Sequence, residues 1–486
     1  MTTQGSYIIV DIGTGNVRVA AASQHGHVLA VAREDISYSK DPLYPDALQF
    51  DPDQLWQQVL RLAAQVLAQI PAQTVKAITA TSQREGIVLL SADGRSLAGL
   101  PNIDHRGREW EHIIPDKSCV YQLTGRYPTS LFSALKLVGI RERKPALWKE
   151  CATFLSISNW IEYKLSGIAR YEHSQASETL LYDVAQKQWS PALCQVFGLA
   201  PAMLPELVSS ATVLGNILPD VAQQLGISTT VKIVTGGGDT QLAIKSTRPT
   251  VDDMVIVSGT TTPIVKLTGA YTLDDEERTW TSRDIESGRF IFEANAGVTG
   301  LNYQRLKEIF YPNEDYSIIE KELAENTHHF CMASLGSLLA DEETPLTRGG
   351  FLFPTPVSHL LTRGSFVWAT VLDIACSIVR NYQILAAVAG HEPDYIWGCG
   401  GGLQSRVLRQ LIANLTGKKV QMRHEYQQSS AIGGALICNE ALQVNAQMDD
   451  SIEVVHPQQE AEYTALYAEW EKTRGYFRNM NGHTHP

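Results

Sequence analysis

Three carboxylates stand where an apolar run gives way to glycine or to a charged turn. Asp11 closes Tyr7-Ile8-Ile9-Val10 and opens Asp11-Ile12-Gly13-Thr14-Gly15-Asn16-Val17-Arg18. Glu85 lies in Ser82-Gln83-Arg84-Glu85-Gly86, just past the apolar run 75–80. Asp239 follows Val234-Thr235-Gly236-Gly237-Gly238 and precedes Thr240-Gln241-Leu242. A carboxylate at the tip of a buried strand is costly without a partner. Mg²⁺ or a metal-bound water beside phosphate is a natural partner. Gly13 and Gly15 let backbone N–H groups approach a ligand, and Thr14 adds a hydroxyl. The first segment therefore reads as a nucleotide phosphate-binding hairpin, with an ordinary hairpin and a solvated Asp as the competing reading. Asp239 can accept the proton of an attacking hydroxyl, with glycines giving the substrate close access. It can equally be an N-cap.

Arg84 and Glu85 offer a fork of donors and an acceptor, which suits a polyhydroxylated substrate. Two solvated loop charges are the plainer alternative, and Asn102, Asp104 and Arg106 share that ambiguity. Gly400-Gly401-Gly402-Leu403-Gln404-Ser405 ends a short strand and opens a helix, so its N–H groups could hold an adenosine or phosphate group. Cys399 beside it reads as a small packing residue. There is no GxxxxGK[ST], complete GxGxxG, HExxH or GxSxG sequence. A nucleotide site here is of another type.

The elements that must position these groups alternate. Strands are expected at 6–11, 17–23, 28–33, 75–80, 86–90 and 232–235, and helices at 51–69, where Asp51-Pro52 is a good start signal, and at 154–165. Further on come strands at 253–258 and 264–267 around Gly259-Thr260-Thr261-Thr262 and a long helix over 368–388. A strand at 395–397, a helix at 405–415, a strand at 419–422 and a small-residue helix over 430–440 follow. Alternation of this kind predicts α/β layers. The two strand–turn–strand segments predict two similar domains, 1–246 and 247–486, with the break at Ser246-Thr247-Arg248-Pro249.

Composition narrows the class. The 486 residues carry a net charge of −12, which makes the chain a poor general binder of nucleic acid or anionic membrane. Seven dispersed cysteines form no CxxC pair, so neither a zinc site nor a disulfide framework is expected. Neither a leader-like start nor an apolar run near ~20 residues is read from the sequence, so a cytoplasmic protein with no membrane partner is expected. His483 and His485 could bind a metal, although a frayed tail is the simpler reading.

Taken in order, these segments resemble the FGGY carbohydrate kinases of the sugar kinase/actin/Hsp70 ATPase superfamily. The match includes Asp11–Thr14 with Arg18, Gln83–Gly86, Ser174-Gln175-Ala176-Ser177-Glu178-Thr179 with Asp183 and Trp189, and Gly237-Gly238-Asp239. It continues through Ser258–Thr261, Gly400–Gly402 and Ser430–Ala435. Within the family the pattern is most similar to that of autoinducer-2 kinase. The resemblance implies two actin-like (ribonuclease H-like) α/β domains with ATP and Mg²⁺ in a cleft between them and the sugar held mainly by the first. It implies Asp239 as general base and Asp11 and Asp239 as the metal-side carboxylates. Arg84, Glu85, Asn102, Asp104, Asp239 and Thr240 become the substrate-binding set. Gly13, Thr14, Gly15, Arg18, Gly259, Thr260, Gly400, Gly401, Gly402 and Ser405 become the ATP-binding set. A small sugar, ketose or polyol is the expected substrate, a pentulose or dihydroxypentanedione among them, and a homodimer is possible. An actin- or Hsp70-like ATPase and a non-catalytic sugar-binding regulator are the competing functions. The chain departs from the family at Asn102, where a tryptophan is common, at Gly139 in Lys136-Leu137-Val138-Gly139-Ile140, at Asn159, and at Phe353-Pro354-Thr355-Pro356.

Overall fold

The computed structural model describes residues 5–325, 331–458 and 461–482, so His483 and His485 lie outside the described residues. The chain divides into two compact units. One comprises Met1–Ser246, Gly269–Ile291 and Gln428–Asp449. The other comprises Thr247–Thr268, Phe292–Gln427 and Asp450–Pro486.

In the first unit, β1 (Ser6–Ile12) and β2 (Asn16–Ser23) form an antiparallel hairpin that sets Asp11 opposite Arg18. β3 (Val28–Asp35) continues the antiparallel edge. Helix α1 (Pro52–Leu67) begins where Asp51 Oδ1 accepts from the N–H groups of Asp53 (2.9 Å) and Gln54 (3.3 Å), with Pro52 in the first turn. It buries Leu55, Trp56, Val59, Leu62 and Val66 against β2 and β3, each such side chain contributing about 1.5–3 kcal/mol. β4 (Val75–Ser82) runs parallel to β1 and β6 (Lys232–Gly238) runs parallel to β4. The edge strand β5 (Val213–Asn216) is antiparallel to β6. The sheet order is β5-β6-β4-β1-β2-β3. Ser82 pairs with Ile12 on one side and Gly238 on the other, so the three parallel strands end level.

Helix α2 (Ser133–Arg143) and α3 (Ile157–Ser166) complete the surroundings of that edge, and α4 (Asp239–Thr247) leaves directly from β6. The expected helix over 154–165 starts late. Phe154–Ser156 instead end the strand Cys151–Ser156, which pairs with Ile87–Ser91. Ser156 Oγ then caps α3 by accepting from Asn159 N–H at 3.2 Å. The apolar run hid a strand-to-helix switch because both halves are buried.

The second unit repeats the strand–turn–strand pattern with β7 (Met254–Val257) and β8 (Pro263–Thr268). Six consecutive strands of a seven-stranded sheet follow the order β9 (Phe290–Asn295), β8, β7, β10 (Tyr395–Cys399), β11 (Lys419–Arg423) and β12 (Ile452–Val455). Helix α5 (Arg363–Ala389) starts five residues before its expected Trp368, at a Thr362–Ser365 capping box. Among the described residues it alone is long and apolar enough, by length and composition, to cross a membrane. It is a core helix: most of that segment is buried. Asp373 accepts from Trp470 Nε1 (2.7 Å) and Leu335 N–H (3.1 Å). Helix α6 (Arg406–Thr416) follows β10.

Helix α7 (Ser429–Ala441) belongs to the first unit, where it packs on β1, β2, β4 and β6. Its two central glycines allow that approach. A Cβ on Gly433 would overlap the carbonyl oxygen of Leu242, and one on Gly434 would meet Ile9 Cγ1 at 2.6 Å.

Candidate active site

Ligands of parallel α/β sheets gather beyond the carboxyl ends of the strands. In the first unit, β1, β4 and β6 deliver Asp11, the Gln83–Gly86 turn and Asp239 to that same edge. Asp11 is half-buried. Ser430 at the start of α7 donates its hydroxyl to Asp11 Oδ2 at 2.6 Å. Burial pushes the Asp11 carboxyl up, while Arg18 across the hairpin and Ser430 pull it down. Arg18 in turn donates to Gln428 Oε1. The 428–430 segment thus steadies the Asp11–Arg18 pair.

The turn between β1 and β2 is closed by Gly13 N–H donating to Asn16 O at 2.9 Å. Asn102 Nδ2 donates to Thr14 Oγ1 (3.0 Å), Tyr38 OH to Thr14 O (2.7 Å), and Gln83 Nε2 to Gly13 O (3.3 Å). A Cβ on Gly15 would meet nothing within 4 Å, and one on Gly13 only Asn16 O at 3.6 Å. These two glycines have no packing duty and leave open room beside backbone N–H groups, as a phosphate cradle requires.

Asp239, half-buried at the start of α4, accepts from Thr240 N–H (2.6 Å) and Thr240 Oγ1 (3.3 Å). Burial raises its carboxyl to about 6; Arg84 opposes the shift and Asp11 adds to it. The preceding glycines answer to packing, not to substrate access. A Cβ on Gly236 would overlap Ala80 O, and one on Gly237 would meet Ile285 Cγ2 at 2.7 Å.

Arg84 and Glu85 are both buried, which overturns the solvated-loop alternative. Arg84 Nη1 lies 3.6 Å from Glu178 Oε1, and Glu178 is also gripped by Arg126 through Nε (3.0 Å) and Nη2 (2.5 Å). Glu85 sits at φ +61°, an uncommon conformation for a non-glycine residue and one often found at functional turns. Burial, then Glu178, raises its carboxyl to about 7. Lys136 of α2 is fully buried and donates to the carbonyls of Glu85 (3.0 Å), Pro101 (2.8 Å) and Asn102 (3.2 Å). Burial lowers it to about 8. Residue-level reading gave no role to Lys136, Glu178, Arg126 or Ser430. A lysine inside the apolar Ala134–Ile140 run was the available signal.

Two of the expected ligand residues carry structural contacts. Asp104 is 0% exposed and pairs with Arg106 Nε at 2.7 Å while accepting from Leu48 N–H at 3.0 Å. Ser405 caps α6 by accepting from Leu408 N–H at 3.3 Å. Thr240 lies against Asp239, as described.

In the second unit, Gly259 and Thr260 are exposed between β7 and β8, and Gly259 N–H donates to Thr261 O at 2.9 Å. A Cβ on Gly259 would meet only Thr261 O, at 3.7 Å. The Gly400–Gly402 turn lies on Ser258: Gly402 N–H donates to Ser258 O at 2.9 Å, and Gly400 has φ +96°. Gly401 is exposed, and a Cβ there would meet only Gln404 Nε2, at 3.6 Å.

Comparison with known proteins gives the family and the fold. Residues 6–245 match the N-terminal domain, and residues 329–442 the C-terminal domain, of the FGGY family of carbohydrate kinases. A Bacillus subtilis (strain 168) protein named "Putative sugar kinase YoaC" is 49% identical over 98% of both chains. An autoinducer-2 kinase of Yersinia enterocolitica is 25% identical over 90% of this chain and 86% of its own. The fold matches a xylulose kinase from Lactobacillus acidophilus with a TM-score of 0.85 at 17% identity, covering 98% of this chain and 99% of that one. A gluconate kinase from the same organism matches at 0.83 and 17% identity, covering 99% of both. The fold is the actin-like α/β fold of the sugar kinases, and the chain belongs to the FGGY family of carbohydrate kinases, which transfer a phosphoryl group from ATP to a sugar hydroxyl.

Proposed function

We propose that the protein phosphorylates one hydroxyl of a small ketose or polyol, with Asp239 accepting the proton of the attacking hydroxyl. The observation that supports this reading is the level ending of β1, β4 and β6, which sets Asp11, Arg84-Glu85 and Asp239 along one edge. Arg84 and Glu85 bind and orient the sugar, with Asn102 beside Thr14 at its border. A carboxyl that titrates near neutrality, as Glu85 does, can either donate to a sugar hydroxyl or accept from one. Asp239, at about 6, is mostly ionised at pH 7 yet remains basic enough to take a proton. In the first unit Gly13, Thr14, Gly15 and Arg18 would bind phosphate; in the second, Gly259 and Thr260 would bind phosphate and Gly400–Gly402 the adenosine. Asp11 would hold Mg²⁺, with Asp239 near it, and the ion supplies charge neutralisation on the transferring phosphoryl group.

Relatedness to an autoinducer-2 kinase over 90% of this chain favours a dihydroxypentanedione-type substrate, and a pentulose is the alternative. The test is ADP release with D-xylulose, D-ribulose, glycerol, D-gluconate or dihydroxypentanedione, against a no-sugar control. Strong stimulation by one compound is expected and names the substrate class. Brisk ADP release that no compound changes would overturn the assignment of a sugar acceptor.

A further inference from the structure

Gln241 is the one side chain among the described residues with two buried, unpartnered polar atoms: both Oε1 and Nε2 of its amide lack a hydrogen bond. It is 0% exposed. Leaving an amide dry costs free energy, so such a group in a folded protein calls for an explanation. Helix capping is the first candidate. Gln241 is the third residue of α4, the position from which a glutamine reaches back to the N–H of the residue before the helix. That residue is Gly238, and the Gln241 amide does fold back over it: a Cβ on Gly238 would overlap Oε1. The capping bond is nevertheless absent. Gly238 N–H donates to Ser174 Oγ at 3.1 Å, and Ser174 donates its own hydroxyl proton to Glu172 Oε2. The Ser174–Glu172 pair has taken over the cap and freed the amide.

The freed amide lies close to the reaction site. Arg84 Cγ would contact the same Cβ position on Gly238, at 3.4 Å, so the amide and the arginine stem share one face of that residue. Asp239 is the next residue along. We propose that Gln241 forms a subsite for one hydroxyl-type oxygen behind the Asp239 turn. Oε1 accepts its proton and Nε2 donates to an oxygen lone pair. The oxygen is a second sugar hydroxyl, admitted when the Arg84 stem moves, or a water that fixes the start of α4. This rests on the reading that the sugar binds beside Asp239.

The full-length enzyme with Gln241→Leu, which keeps the bulk and removes both polar atoms, tests the subsite. Kinetics use whichever sugar of the panel the wild type turns over, alongside thermal melting without ligand and a crystal structure that resolves ordered water. A sugar KM raised at least tenfold, with kcat and ATP KM within twofold and an unchanged or higher melting temperature, assigns the oxygen to the sugar. A lowered kcat at unchanged sugar KM, with a wild-type water within hydrogen-bond distance of both amide atoms, assigns it to water. Unchanged kinetics with a dry amide overturns the subsite. Ser174→Ala supplies an independent reading. It returns Gly238 N–H to Gln241, so Gln241→Leu should lower the melting temperature by more in that background than in the wild type. Equal effects in both backgrounds would also overturn the proposal. Asp239→Asn separates the two claims: retained turnover removes the base assignment, whereas the Gln241 results stand or fall on KM and melting.

Discussion

Asp239 carries the sharpest expectations. Asp239→Asn keeps the size of the side chain and removes its basicity, so turnover should fall by about 10²–10⁴-fold while ATP affinity stays within about twofold. Steady-state kinetics with a separate nucleotide titration checks both halves. The pH profile follows from the same group. Its carboxyl is raised to about 6, and the ionised form is the base, so kcat/KM should be level above about pH 7 and fall tenfold per unit well below 6. A profile flat down to pH 5 would remove Asp239 from that role. Asp11, Glu85 and Asp239, which the structure brings to one edge, were legible because each stands at or just past the end of a strand-like run. The sequence did not show which acids are spent on structure. Asp104 and Glu85 look alike as loop acids, yet only contact with Arg106 makes Asp104 an ion-pair partner within the core. Ser430 lies hundreds of residues from Asp11, and no local pattern links them.

At the level of elements, glycines of the same appearance do opposite work. Gly15 at the β1–β2 turn has nothing within 4 Å of its missing Cβ, whereas Gly433 of α7 lies hard against Leu242 O. Gly15→Ala should therefore leave unfolding free energy within about 0.5 kcal/mol while weakening ATP binding. Gly433→Ala should cost about 1–3 kcal/mol by overpacking, with activity falling only as folded protein is lost. Chemical denaturation alongside ATP titration separates the two, and equal destabilisation would sink the distinction. Strands β1, β2, β4, β7 and β8 and helices α1, α6 and α7 were legible because their apolar period and start signals agree. The 154–156 stretch was not, because strand end and helix start are both buried there and only pairing with Ile87–Ser91 decides.

At the scale of the molecule, the first unit is discontinuous: its α7 arrives after the whole 292–427 segment of the second. A fragment ending at Ile291 keeps the Gly269–Ile291 segment of the first unit but lacks the helix that covers Ile9 and Thr79 and the hydroxyl that meets Asp11. It should show no cooperative melting alone, and a peptide of residues 428–449 added in trans should restore a transition. Cooperative melting of the fragment by itself would show that α7 is dispensable. The arrangement also has a consequence for synthesis. At about 5–20 residues per second, a ribosome needs about 10–40 s to extend the chain by the roughly 200 residues between Ser246 and Asp449. During that interval the nascent sheet displays the apolar face that α7 covers in the folded unit, so slowing translation within the second unit should lower the yield of folded protein.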